Sequence, residues 1–239
     1  MKLVAVIAAY NERDNVEELT RRLLASLSSS KDLSGEVLYV VEGDDGTREV
    51  IERLQSELPG IRILYQREAT GLADAFRRGF AALPADCDFV LTMDADLNHR
   101  PEEIPRLLQM ILASGADIVV GSRFVPGARI EGVPIWKRML SGLGNLGMGI
   151  AFDRKVRDKT SGFRIYRAGA LRSLRFESSG FAFLPEILLR ASAMDMTIVE
   201  APIHFVYRVH GGSKMRLWGT AKSYMDLARR RIAGDLTPH

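Results

Sequence analysis

The first half of the chain alternates short apolar runs with amphipathic segments, and this order limits the possible folds more than any other feature. The apolar runs contain few polar residues, as in strands that are covered on both faces of a sheet. Such alternation is typical of an α/β fold, in which helices flank a mostly parallel, Rossmann-like sheet. We predict strands over 3–7, 37–41, 61–65, 88–93 and 116–121. We predict helices over 14–27, 47–58, 72–83 and 101–113, with Asp14 and Glu17 as a capping box for the first.

Size and composition exclude several classes of protein. The chain has 239 residues, of which 46% are hydrophobic, and these values fit one globular domain with a sizeable core. A net charge of +3 is too small to indicate a nucleic-acid partner. Cys87 is the single cysteine, which excludes an intramolecular disulfide and a cysteine-based zinc site. No run approaches the roughly 20 apolar residues that span a bilayer, so we expect a cytoplasmic protein that does not cross a membrane but could lie on one.

Polar side chains follow the predicted strands at their carboxyl ends, where ligands bind in open parallel sheets. Asp94, Asp96 and Asn98 come directly after the apolar strand 88–93. If the extended backbone continues, residues two apart point the same way, and two carboxylates and an amide oxygen face one point. Such hard oxygen ligands suit Mg²⁺ or Mn²⁺. The alternative is a polar loop that caps the next helix, and we favour the metal site.

A second acidic group follows the predicted strand 37–41. Carboxylates in this position can accept hydrogen bonds from the base or ribose of a nucleotide. The sequence Asp-Asp-Gly is equally good turn chemistry, and we give the two readings equal weight. The group consists of Glu42, Asp44 and Asp45.

Basic residues gather in the second half of the chain, where they could bind phosphate groups. They are Arg123, Arg129, Lys137, Arg138, Arg208 and Lys214. For any one of them a solvated surface charge is the more common role, and Arg123 and Lys214 are the better phosphate candidates. Residues 142–147 match the dinucleotide pattern G-x-G-x-x-G, but they follow a predicted helix (134–151) instead of a strand, so we discount the match.

A basic amphipathic helix is predicted over 217–232. It could rest on an anionic membrane or pack on its own domain or on a partner. Its apolar face is predicted to contain Leu217, Ala221, Tyr224, Met225, Ala228 and Ile232.

Five segments in this order resemble the GT-A-fold glycosyltransferases of family two, and more narrowly the dolichyl-phosphate mannosyltransferase (polyprenyl-phosphate glycosyltransferase) group. The resemblance covers roughly residues 2–215. It implies a catalytic domain over 1–215, followed by a basic helix and tail over 216–239. The matching segments are 9–12 (Ala-Tyr-Asn-Glu), 93–99 (Met-Asp-Ala-Asp-Leu-Asn-His), 121–124 (Gly-Ser-Arg-Phe), 160–164 (Thr-Ser-Gly-Phe-Arg) and 208–215.

The resemblance also assigns roles to individual residues. Asp94, Asp96 and Asn98 would hold the metal, with Asp94, Asp96 and Arg123 as the catalytic set. The nucleotide would be bound by Ala9, Tyr10 and Glu12, together with Glu42 and Asp44. Donor diphosphate or acceptor phosphate would be contacted by Arg123, Lys137, Arg138, Ser141, Arg208, Ser213 and Lys214.

Two departures from the family pattern touch the nucleotide pocket. Ala8 stands where the family usually has proline, and the acidic loop 42–47 is shortened. The resemblance implies the inverting transfer of a hexose, with mannose from GDP-mannose as the first choice, to a polyprenyl phosphate. Because of the two departures, UDP-glucose and UDP-N-acetylhexosamine stay open as alternative donors. We expect Mg²⁺ or Mn²⁺ as cofactor, no nucleic-acid partner, and contact with the cytoplasmic face of a membrane or with a membrane-anchored partner subunit.

The choice of acceptor sets what the site must contain. A phosphate monoester is mostly ionised at pH 7 and needs no general base, whereas a hydroxyl acceptor needs one. Asp158 and Glu186 are the carboxylates that we select as candidate bases. A hydroxyl-acceptor glycosyltransferase and a catalytically silent nucleotide-binding subunit are the other readings, and the complete Asp94, Asp96 and Asn98 set argues against the silent subunit.

Overall fold

The computed structural model describes residues 1–29, 32–133, 156–207 and 217–233. The predicted strands and helices of the first half are confirmed to within a few residues. The strands are β1 (Lys2–Tyr10), β2 (Ser34–Glu42), β3 (Ile61–Gln66), β4 (Phe89–Asp94), β5 (Ile118–Ser122), β6 (Arg129–Glu131), β7 (Arg164–Arg167), β8 (Ile198–Pro202) and β9 (His204–Val206). The helices are α1 (Arg13–Leu27), α2 (Thr47–Glu57), α3 (Leu72–Ala81), α4 (Ile104–Ser114), α5 (Ala168–Ser173), α6 (Phe183–Ala193) and α7 (Leu217–Ala233).

Seven strands form one sheet in the order β3-β2-β1-β4-β7-β5-β8. Strand β1 lies in its interior and pairs in parallel with β2 on one side and β4 on the other. Only β7 runs antiparallel to its neighbours, between β4 and β5. Strands β6 and β9 pair separately. The predicted mostly parallel sheet is therefore confirmed, while β6, β7, β8 and β9 were not predicted as individual strands.

The sheet has an apolar core on each face, which explains why its strands are apolar throughout. In β1, Leu3, Ala5 and Ile7 pack into the core beneath α1, α2 and α4. The intervening Val4 and Val6 pack into the opposite core, beneath α3 and α6. This alternation follows from the two-residue period of a strand.

Two predicted helix starts differ from the structure. Helix α1 begins at Arg13, after Glu12, and no side chain caps it. The predicted capping box is therefore wrong, because Asp14 lies inside the helix and Glu17 pairs with Arg21 and Arg53. The segment from residue 101 opens as a 3₁₀ turn, and α4 itself begins at Ile104. The predicted helix near 134–151 lies outside the described residues.

The C-terminal helix α7 packs on the rest of the protein through part of the predicted face. The side chains of the predicted face residues Leu217, Ala221 and Ile232 lie outside the described residues. Leu227, which the prediction left out, is 1% exposed and packs with Leu189 of α6. Met225, which the prediction included, is 56% exposed. Tyr224 and Ala228 join the buried contact as predicted. The division of the chain at residue 215 stays a prediction.

In the part of the chain that the structure describes, no helix is both long and apolar enough to cross a bilayer.

Candidate active site

The candidate site lies where the strand order of the sheet reverses. Strand β1 leads to β2 on one side, whereas β4 lies on its other side, so a crevice opens between the carboxyl ends of β1 and β4. Glu12 follows β1, and Asp94 ends β4, opposite Ala8 in register. The two segments with the strongest resemblance to the family therefore meet at the point where such sheets bind ligands.

The Asp94–Asn98 segment forms a turn, so the extended backbone that we assumed is wrong. Strand β4 ends at Asp94, and Leu97 adopts a left-handed backbone with φ of 61°. Asp96 accepts hydrogen bonds from the backbone and side-chain nitrogens of Asn98, at 3.0 and 2.6 Å. Burial nevertheless alternates, with Asp94, Asp96 and Asn98 partly exposed and the residues between them buried. The three predicted metal ligands thus share the open side of the turn.

Asp94 and Asp96 repel each other. Burial, followed by the negative charge of Asp96, raises the pKa of Asp94 above its ordinary value. Burial also raises the pKa of Asp96, and Glu12 adds to the rise at both carboxyls. The Asp94 side chain is 37% exposed, so a ligand can reach it from solvent. In the described residues, neither aspartate forms an ion pair with a lysine or arginine.

These residues fit a divalent cation that is shared with a substrate. Their donors are carboxylate oxygens, which Mg²⁺ and Mn²⁺ prefer, and a cation would relieve the repulsion between them. Gly162 brings its backbone close to Asp94, since an added Cβ would lie 3.0 Å from Oδ1. The described ranges hold no group of three or more His, Cys, Asp and Glu side chains that could hold a metal ion, so Asp94 and Asp96 would need ligands from elsewhere. Water or substrate phosphate would therefore complete the shell.

His99 lies behind this turn and is neutral. Burial and the charge of Arg123 lower the pKa of His99 to about 3. Its ring packs on Phe163 and edge-on against Phe205. Its Nδ1 lies 3.6 Å from Oδ2 of Asp94. The ring therefore supports the metal-site turn from the core side.

The residues after β1 divide between the core and the cleft. Ala9 is buried in the core with its side chain, so only its backbone can face a nucleotide. Tyr10 is exposed. The backbone nitrogen of Glu12 donates to the hydroxyl of Thr47 at 2.8 Å, which fixes the end of β1 against the start of α2. Their predicted nucleotide contacts stay predictions.

All three carboxylates of the acidic group at the end of β2 bind other groups of the protein. Glu42 is buried and accepts hydrogen bonds from Thr70 and Arg78 of the neighbouring loop and helix. Asp44 pairs with Arg67 on the surface. Asp45 accepts from the backbone and hydroxyl of Thr47 at the start of α2, as the turn reading of this group predicted. Nucleotide binding by Glu42 and Asp44 stays a prediction.

Arg123 follows β5 and is tied to Asp158. Its Nε and Nη2 donate to the two Asp158 oxygens, each at 2.8 Å, and its backbone nitrogen donates to Oδ2 at 3.0 Å. Nη2 also donates to Thr160 at 2.7 Å. The charge of Arg123 interacts with that of Asp94, so Arg123 lies beside the site. Its guanidinium group, however, already donates to Asp158 and Thr160. Contact with a phosphate stays a prediction.

Neither candidate base is available for proton transfer. Asp158 is fully buried, and although burial opposes its ionisation, Arg123 holds its pKa below the ordinary range. Glu186 of α6 is also fully buried and accepts from the backbone of Ser178 at 2.7 Å and from Arg190 at 2.9 Å. These bonds outweigh burial and lower the pKa of Glu186. Both carboxylates are anchors, by which we mean buried carboxylates that stabilise the fold through ion pairs with arginine. Their selection as bases is therefore wrong.

The remaining phosphate candidates cannot be placed on this site. Arg129 lies in β6, where its backbone nitrogen bonds to Ile203. The others lie outside the described residues. These are Lys137, Arg138, Ser141, Arg208, Ser213 and Lys214.

Comparison with known protein families identifies the family to which this chain belongs. The profile of glycosyl transferase family 2 matches residues 4–175. The chain therefore belongs to this family, and the sequence-based prediction of a GT-A-fold glycosyltransferase is confirmed.

Three curated relatives are similar over most of this chain. An undecaprenyl-phosphate mannosyltransferase of Micrococcus luteus is 34% identical, over 90% of this chain and 88% of its own length. A polyprenol monophosphomannose synthase of Mycolicibacterium smegmatis is 31% identical, over 98% of this chain and 89% of its own length. A dolichol-phosphate mannosyltransferase of Pyrococcus furiosus is 35% identical over 90% of this chain, which spans 60% of that relative.

A solved structure extends the likeness of fold. Glucosyl-3-phosphoglycerate synthase of Mycobacterium tuberculosis, in complex with Mn²⁺, uridine diphosphate and glucosyl-3-phosphoglycerate, aligns with a TM-score of 0.68. The alignment covers 100% of this chain and 81% of that chain at 18% identity. At this identity the similarity supports the fold and not the substrate.

Proposed function

We propose that this protein transfers mannose from GDP-mannose to a polyprenyl phosphate, with inversion at the anomeric carbon and with Mg²⁺ or Mn²⁺ as cofactor. The observation that carries the proposal is the identity of 31–35% over at least 90% of the chain to three enzymes named for mannose transfer to polyprenol phosphates. The names of all three relatives agree on mannose as the sugar and on a polyprenol phosphate as the acceptor class.

The carboxylate turn supports the metal-dependent part of the proposal. Asp94 and Asp96, with Asn98 beside them, would hold the cation against the donor diphosphate. The cation supplies a positive charge that stabilises the leaving diphosphate. Glu12 and Tyr10 would bind the nucleotide at the adjoining end of β1.

The absence of an available base at the two candidate positions supports a phosphate acceptor. Asp158 and Glu186 are buried and paired with arginines, so neither can accept a proton from a hydroxyl at the site. A phosphate monoester with a second pKa of about 6 is already ionised and attacks without one. Its oxygen forms the new bond to the anomeric carbon as the bond to the donor diphosphate breaks.

A polyprenyl phosphate places the reaction at a membrane surface. We propose that the protein acts on the cytoplasmic face, either directly or through a membrane-anchored partner subunit. The outward side of α7 supports surface contact, because Met225 is exposed there beside the basic residue Arg229.

The test supplies three labelled donors to the purified protein with polyprenyl phosphate. GDP-mannose, UDP-glucose and UDP-N-acetylglucosamine are compared with Mg²⁺, with Mn²⁺ and with a chelator, and the label in the organic phase is counted. We expect label from GDP-mannose alone, and only with metal. Label from a UDP-sugar would refute GDP-mannose as the donor. Label that persists in the presence of the chelator would refute the requirement for a metal ion.

A matched pair of variants connects the product to the site. Asp96→Asn removes one carboxylate of the metal turn, and we expect at least a 100-fold loss of lipid label, of the size seen when a group that stabilises transition-state charge is removed. Asp86→Asn makes the same chemical change on the surface, where Asp86 pairs with Lys2, and should leave the label unchanged. Equal activity of the two variants would argue against a metal site at Asp96.

A further inference from the structure

The imidazole of His99 is buried without a hydrogen-bond partner in the part of the chain that the structure describes. The side chain is 3% exposed, and the described residues supply no donor or acceptor to either ring nitrogen. A buried polar group without a partner costs free energy, and native proteins keep few of them. Packing alone therefore does not explain a histidine at this position.

Neighbouring groups fix the imidazole beside the Asp94–Asn98 turn. The ring centroid of Phe163 lies 5.3 Å from that of His99, and the ring of Phe205 in β9 lies 5.2 Å away at an angle of 71°. The backbone nitrogen of Val206 donates to the carbonyl oxygen of Asn98 at 3.0 Å, which ties β9 to the turn. The imidazole is thus held in one orientation by groups that also hold the turn.

Two neighbours limit the position of the Asp94 carboxylate. Nδ1 of His99 lies 3.6 Å from Oδ2, and a Cβ added to Gly162 would lie 3.0 Å from Oδ1. The hydroxyl of Thr92 donates to the carbonyl oxygen of Gly162 at 2.7 Å, which fixes Gly162 beside the end of β4. A shift of roughly 0.7 Å brings Nδ1 to hydrogen-bond distance from Oδ2. Hydrogen bonds of active sites are often long until the ligands bind.

The chemistry of the two groups assigns the proton on the imidazole. An ionised carboxylate only accepts hydrogen bonds, whereas a neutral imidazole carries one N–H and one lone pair. Because Nδ1 is the nitrogen that lies next to Asp94, we assign the N–H to Nδ1. A nitrogen that carries a proton cannot bind a metal ion, so at Nδ1 His99 is a donor to a ligand and is not a ligand itself.

We propose that His99 is a positioning residue for the metal site. Its Nδ1–H donates to Oδ2 of Asp94, so that the solvent-facing lone pairs of this carboxylate point toward the cation. Groups that orient metal ligands in this way commonly contribute about 10–100-fold to metal affinity. The inference deepens the metal-dependent part of the proposed function and rests on it. A purely structural histidine would contribute to the packing with Phe163 and Phe205 and to nothing else.

Two substitutions of His99 separate the donor from the ring. His99→Phe keeps an aromatic ring between its neighbours and removes the donor. His99→Asn removes the ring but keeps a donor, because its amide nitrogen is as many bonds from the backbone as Nδ1 is. Mn²⁺ is titrated into each protein with GDP present, and the bound ion is measured by electron paramagnetic resonance against a blank without protein. Melting temperatures are recorded with a chelator.

We expect the two variants to rank in opposite orders in the two measurements. His99→Phe should bind Mn²⁺ about tenfold more weakly than the wild type and melt close to it. His99→Asn should bind Mn²⁺ more tightly than His99→Phe but melt at a lower temperature, since the packing of the ring is lost. Wild-type affinity in His99→Phe, or affinities that follow the melting temperatures, would overturn the inference. Should His99→Asn not fold, the affinity and melting temperature of His99→Phe decide alone.

Tyr39→Phe is the matched control. It also removes one polar atom from a buried ring, but the hydroxyl of Tyr39 bonds to Thr20 in the core beneath α1. We expect this variant to bind Mn²⁺ as the wild type does. A loss as large as that of His99→Phe would overturn the inference, because the effect would then not be specific to the neighbour of Asp94.

The binding measurement does not depend on sugar transfer, so the inference and the proposed function can fail separately. If the wild type binds Mn²⁺ but transfers no sugar to polyprenyl phosphate, the proposed function fails, and the affinities of the variants still decide the inference. If the wild type transfers mannose and His99→Phe binds Mn²⁺ equally well, the inference fails and the function stands. A wild type that does not bind Mn²⁺ would overturn the inference.

Discussion

Replacing Asp158 by asparagine removes a negative charge from the interior and leaves Arg123 without its counter-ion. Asp158 is 0% exposed and accepts from three Arg123 donors, from Thr160 and from the backbone of Ser161. Breaking a buried ion pair from one side costs about 3–5 kcal/mol. Since asparagine keeps one acceptor oxygen, we expect a loss near the lower end, about 3 kcal/mol.

This free energy converts into a measurable change in melting temperature. For a domain of this size, 1 kcal/mol corresponds to about 2–4 °C, so Asp158→Asn should melt roughly 6–12 °C below the wild type. Asp44→Asn is the matched control, because Asp44 also pairs with an arginine but is 64% exposed. Exposed ion pairs contribute little to the free energy of unfolding, so Asp44→Asn should melt close to the wild type.

Melting curves and sugar transfer measured on the same samples distinguish an anchor from a base. If Asp158 is an anchor, Asp158→Asn loses stability and activity together. If it were a general base, the variant would melt like the wild type and still lose activity, and that result would refute our reasoning.

The pH dependence follows from the lowered pKa of Asp158. Its stabilisation is fully present above the unfolded value of about 3.8 and is lost as the pH falls through the lower folded value. The difference in the free energy of unfolding between the wild type and Asp158→Asn should therefore be constant from pH 5 to 8. It should narrow only in strong acid. A difference that changes near neutral pH would contradict the assigned ion pair.

Three further substitutions test contacts elsewhere. Gly79→Ala should lower the melting temperature although alanine favours helix by about 1 kcal/mol, because its Cβ would overlap a valine methyl group of β1. A higher melting temperature would contradict this packing. Gly162→Ala should raise the metal concentration needed for half-maximal activity, since its Cβ crowds Asp94, and an unchanged metal requirement would argue against that contact. Leu227→Ala should expose α7 to limited proteolysis, whereas Met225→Ala should not, and equal cleavage of both would contradict the assigned face.

The first half of the fold could be predicted because each of its strands is a continuous apolar run. Strand β7 could not, since it is four residues long and two of them are arginines. Arginine is rarely buried without partners, yet Arg164 is fully buried because carbonyl oxygens of Lys159 and Leu184 accept its hydrogen bonds. Lys159 lies five residues before Arg164, but Leu184 lies 20 residues after it in α6, and only the tertiary structure shows that contact.

The strand-end rule located the candidate site, and the strand period could have refined it. Ala9 is in phase with Ala5 and Ile7 of β1, so its inward direction was readable from the sequence. The position of Glu42 was not, because its partner Arg78 lies 36 residues away in α3. A sequence shows which carboxylates end a strand, but the partner that occupies each one depends on contacts between distant segments.

The pairing of the carboxylates with arginines predicts where a cation would bind. Asp158 and Glu186 face arginines that lower their pKa values, so an added metal ion would have to displace a protein cation there. Among the described residues, Asp94 and Asp96 have no such partner: burial raises the pKa of both, the charge of Asp96 adds to the rise at Asp94, and the charge of Glu12 adds to it at both. A divalent ion gains most free energy where negative charges are uncompensated, so we expect it at the turn after β4 and not at Asp158 or Glu186. The arginines that pair with those two carboxylates would then also direct the metal to the end of β4.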